Sequence, residues 1–105
     1  MRGVPQLEQD RIDGLHLIEF LKYQQKENAI CSWSNKEKVD SWISNTQGNV
    51  EAFAPHEAQM YRTITDNLDF RQGETQHVHL IPVVSARIEK LRRIIGRKEA
   101  QAYNV

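Results

Sequence analysis

The chain reads as an all-α protein, a small irregular bundle of about four helices, and three observations predict that class. Ile81, Val84, Ile88, Leu91 and Ile95 recur at alternating spacings of three and four, the period of one apolar stripe on an α-helix. Helix-boundary residues divide the rest of the chain: Ser34 and Glu37 match a capping box, Pro55 suits a first helical position, and Asn28 and Gly73 suit closing positions. Strand-like alternation is confined to one short run, residues 76–81.

The bounds are equally plain. At 105 residues the chain fits a single domain that can bury a real core without staples. Residues 1–6, with Gly3 and Pro5, and residues 103–105 are expected to fray. The lone Cys31 cannot form an internal disulfide and fits a reducing compartment, so a cytoplasmic, soluble protein is expected. No apolar run is long enough for a membrane span, and a membrane partner is not expected.

The first helix is expected over about residues 7–27. Leu7, Leu15, Leu17, Ile18 and Leu21 gather on one broad side, while Ile12 and Tyr23 lie nearly opposite, which predicts contacts on two sides. Asp13-Gly14 is a turn-favouring pair, so a start with Asp13 as N-cap is an alternative. Asn28 in a left-handed conformation closes the helix, and 29–33 form an apolar connector. The second helix starts at Ser34, buries Val39, Trp42 and Ile43, and stops at the polar run 45–49. The third starts at Pro55 and repeats Met60, Ile64 and Leu68, with Arg62 and Asp66 as an i,i+4 pair and Phe70 off the stripe. After an extended lead-in over 76–81, where Pro82 disfavours helical geometry at Ile81, the last helix runs to about residue 102.

Charge is balanced overall, 14 basic against 14 acidic, yet polarised along the chain. Six Lys or Arg stand against Glu74, Glu89 and Glu99 in the C-terminal part, and the face bearing Arg87, Lys90, Arg93, Arg97 and Lys98 is a candidate for nucleic acid or an acidic partner. The competing explanation is a solvated face, with Glu89 pairing Arg93, or a face lying against acidic helices of the same chain. No aromatic is interleaved for base stacking.

His77 and His79 are the candidate metal ligands. In an extended run they share a face, with His16, His56 or Glu74 as a third ligand; in a helix they diverge by about 200° and do not. The run 77–82 is also similar, over six residues, to the close of the histidine-triad motif of nucleotide hydrolases and transferases, which would imply a strand-borne nucleotide site. Thr75 stands where that motif has its first histidine, and the family's layout is a sheet. Cys31 lacks a nearby base, and no phosphate-binding glycine loop, serine elbow or paired-carboxylate motif is present. A metal or cofactor is therefore not expected, and neither is an enzyme.

Elimination leaves a protein-interaction module, an adaptor, inhibitor or regulatory subunit, that works through helix faces and self-associates. Ile12 and Tyr23 on the first helix and Val83 and Ile94 on the last, all off the main stripes, are its expected apolar contact residues. A nucleic-acid-binding regulator using the basic helix is the alternative.

Overall fold

The structure is a computed structural model that describes residues 3–63 and 76–103, without the side chains of 60, 62, 63, 102 and 103. The protein is all-α, built on three long helices: α1 (Val4–Glu27), α2 (Trp33–Phe53) and α4 (His77–Tyr103). A 3₁₀ turn (Pro55–Glu57) leads into α3 (Ala58–Thr63), so among the described residues the expected third helix contributes six α-helical residues. The rest of that segment, including Ile64, Asp66, Leu68, Phe70 and Gly73, lies outside the described residues, as do the Met60 and Arg62 side chains.

Contacts between the helices set their directions. Trp42 Nε1 donates to the Asp10 carbonyl at 2.9 Å near one end, and Gln24 lies beside Asn35 near the other, so α1 and α2 are antiparallel. His77 meets Asn28 and Lys98 meets Phe53, which makes α4 antiparallel to α1 and parallel to α2. The three pack around one core that includes Leu7, Ile18, Leu21, Val39, Trp42, Val84, Ile88 and Leu91.

Gly14 explains how α1 fits between its neighbours. A Cβ at this position would stand 2.5 Å from Trp42 Cζ2 and 2.9 Å from Ile88 Cγ1, so the absent side chain lets α1 approach α2 and α4 together. Asp13-Gly14 is therefore mid-helix backbone, and the alternative start with Asp13 as N-cap does not occur. Close packing offsets the roughly 1 kcal/mol that glycine costs inside a helix.

Three boundaries differ from the sequence expectation. α1 begins at Val4, inside the segment expected to fray, because Gly3 takes φ 91° and Val4 and Leu7 are buried. Asn28 closes α1 in an extended conformation (φ −156°), with its amide donating to Gln24 O and its side chain accepting from Ile30 N at 3.0 Å. The α2 cap is Ser32, whose hydroxyl accepts from the Asn35 amide at 3.1 Å; Ser34 lies inside the helix, and Glu37 instead accepts from Trp33 Nε1 at 2.8 Å.

α2 also runs straight through the polar stretch 45–49. Thr46 and Val50 are fully buried, and Asn49 reaches back to Asp10 at 2.7 Å. These tertiary partners outweigh weak local preference. Likewise the expected extended segment at 76–81 is helical from His77, and only Gln76 pairs, through one antiparallel bridge to Ile30. Pro82 is tolerated inside α4 because it stands exposed little more than one turn from the start, and Val78, whose carbonyl lacks a proline amide to accept from, is exposed as well.

Asp10 is a buried carboxylate that accepts from Asn49 Nδ2 and from Gln6 Nε2 at 3.1 Å. Burial raises its pKa above the ordinary aspartate value, and these two hydrogen bonds only partly oppose the shift. Below the ordinary carboxylate range both states hold the proton. As pH rises, the unfolded chain ionises first, so stability falls until the folded Asp10 ionises too and is then constantly lower. Asp10→Asn, with the Asn49 amide turned to accept, is expected to raise the thermal midpoint at pH 7. Melting curves at pH 7 and near pH 3 check this, since the gap must close at the acidic end.

Candidate functional site

The sequence-level site residues fall into three places. His77 roots the first, where α1, the 28–32 connector, α2 and α4 meet. It is 1% exposed; Nδ1 donates to the Asn28 carbonyl at 2.8 Å and Nε2 accepts from Asn35 Nδ2 at 3.1 Å, which assigns the tautomer. Its amide also donates to Ala29 O at 2.9 Å. Both ring nitrogens are thus engaged in holding the helix junction. His79 is exposed on another side of α4, so the helix separates the pair that an extended run would have brought together. Among the described residues, no three His, Cys, Asp or Glu side chains gather as a metal site.

Cys31 lies in the same junction, 5% exposed, with Sγ directed to Ser32 O at 3.5 Å. Burial pushes its thiol pKa up, with the Lys36 charge opposing, so the thiolate a nucleophile needs is disfavoured.

The basic residues of α4 do not form one open face. Arg87 is 3% exposed and lies over the Tyr61 ring, 4.6 Å from its centroid, while Tyr61 donates to Thr46 Oγ1 at 2.6 Å. Arg97 pairs with Glu57 at 2.6 Å, and Lys98 donates to the carbonyl of Phe53 at the C-terminal end of α2. Those two ties fasten α4 to the 53–57 corner. Arg93 is exposed with Glu89 at 3.6 Å, and Lys90 is half-buried. Of the five, Lys90 and Arg93 alone are neither buried nor tied to the 53–57 corner.

The expected apolar contact residues divide. Val83 (3% exposed) and Ile94 (1%) are core residues, because α4 buries a broader arc than its main stripe, with Leu80, Val83 and Ile94 covered as well. They are not available to a partner. Ile12 is half-buried and Tyr23 is 61% exposed on the side of α1 away from the core. Leu15, expected inside, is 42% exposed and borders that outer side.

Three further large apolar side chains stand open where the helices meet around His77. They are Ile30 in the connector, Trp33 at the start of α2 (63% exposed) and Val78 at the start of α4. Sequence reasoning missed them because it placed Ile30 and Trp33 in an apolar connector and Val78 in an extended lead-in. The Trp33–Glu37 spacing was the available signal: an indole four residues before a carboxylate forms a surface pair on a helix.

No helix among the described residues is long and apolar enough to cross a membrane. No protein-family model, no curated protein and no solved structure matches the chain.

Proposed function

We propose that the protein is a non-enzymatic interaction module, an adaptor, inhibitor or regulatory subunit, that binds protein through exposed apolar side chains on its helices. The observation that carries this reading is the exposure of two large aromatic residues, Tyr23 at 61% and Trp33 at 63%, in a chain whose other described aromatics are at least half covered. Tyrosine and tryptophan dominate the energetics of protein interfaces, since each offers a large rigid apolar area with a hydrogen-bonding tip. The engagement of His77, the protonated Cys31 thiol and the tied-down Arg87, Arg97 and Lys98 each favour a structural account of those residues over a metal, nucleophilic or phosphate-binding one.

Affinity capture on nuclease-treated and untreated lysate, with wild-type, Tyr23→Ala and Trp33→Ala chains, tests the proposal. A stoichiometric protein that survives nuclease and whose affinity drops tenfold or more in either variant is the expected result; truncating an interface hot spot costs ~2 kcal/mol or more. Capture of nucleic acid, or binding that neither variant weakens, counts against it.

A further inference from the structure

We draw no further inference here: the strongest candidate, the exposed apolar patch of Ile30, Trp33 and Val78 where the connector and the starts of α2 and α4 meet around His77, carries nothing because nothing in the structure shows what covers it.

Discussion

Gly14→Ala is expected to destabilise the protein by about 2 kcal/mol and lower its melting temperature by roughly 10 °C, although the same change stabilises most helices. The new methyl carbon would lie 2.5 Å from Trp42 Cζ2 and 2.9 Å from Ile88 Cγ1. Trp42 cannot easily retreat, because it is buried and its indole Nε1 is bonded to the Asp10 carbonyl. Overpacking of this kind costs about 1–3 kcal/mol and more where a rigid ring must shift, which outweighs the roughly 1 kcal/mol gained in helix propensity. Gly96 provides the internal control. It is exposed on α4 with nothing within 4 Å of an added Cβ, so Gly96→Ala is expected to stabilise by about 1 kcal/mol. Thermal and urea melts of the two variants check the pair. Equal responses at the two glycines would mean that α1 does not run against Trp42 and Ile88 as described.

His77→Ala is expected to cost about 3 kcal/mol, and His79→Ala less than about 0.5 kcal/mol. The first removes two hydrogen bonds, leaves the Asn28 carbonyl and the Asn35 amide without their imidazole partner, and opens a cavity where the helices meet. The second removes an exposed ring. A ligand pair predicts the opposite pattern, with both variants losing a shared metal and little stability. Denaturant titrations of the two variants, with and without added zinc, decide between them. Matching losses in both would reinstate the paired-ligand account.

The class of the fold was legible because helix periodicity survives averaging over many residues, and α4 carries it through Val84, Ile88, Leu91 and Ile95, all buried as the stripe demands. The boundaries were not, and the reasons are tertiary. Nothing local to 45–49 announces that Thr46 will meet Tyr61 or that Asn49 will meet Asp10, so the run reads as a stop while the chain continues as helix. The alternation at 77–80 has the polarity of a strand, and the docking of His77 on Asn28 and Asn35 decides it as helix. The outward placement of Tyr23 on α1, with Ile12 on the same side, was readable from their spacing opposite the main stripe. Val83 and Ile94 misled for the converse reason: the last helix lies under more of its own chain than one stripe reveals.

The pairing of the first long helix with the last has a consequence for synthesis. α1 finds its principal neighbour in α4, and the bond from His77 to Asn28 spans 49 positions of sequence. A ribosome adds about 5–20 residues per second, so α1 emerges roughly 4–15 s before the far end of α4. Through that interval, of the helices that pack on α1 among the described residues, α2 alone is there to cover Leu7, Ile18 and Leu21. Nascent chains stalled before α4 are therefore the species that holding chaperones should recognise, and release should coincide with the emergence of Leu91 and Ile95.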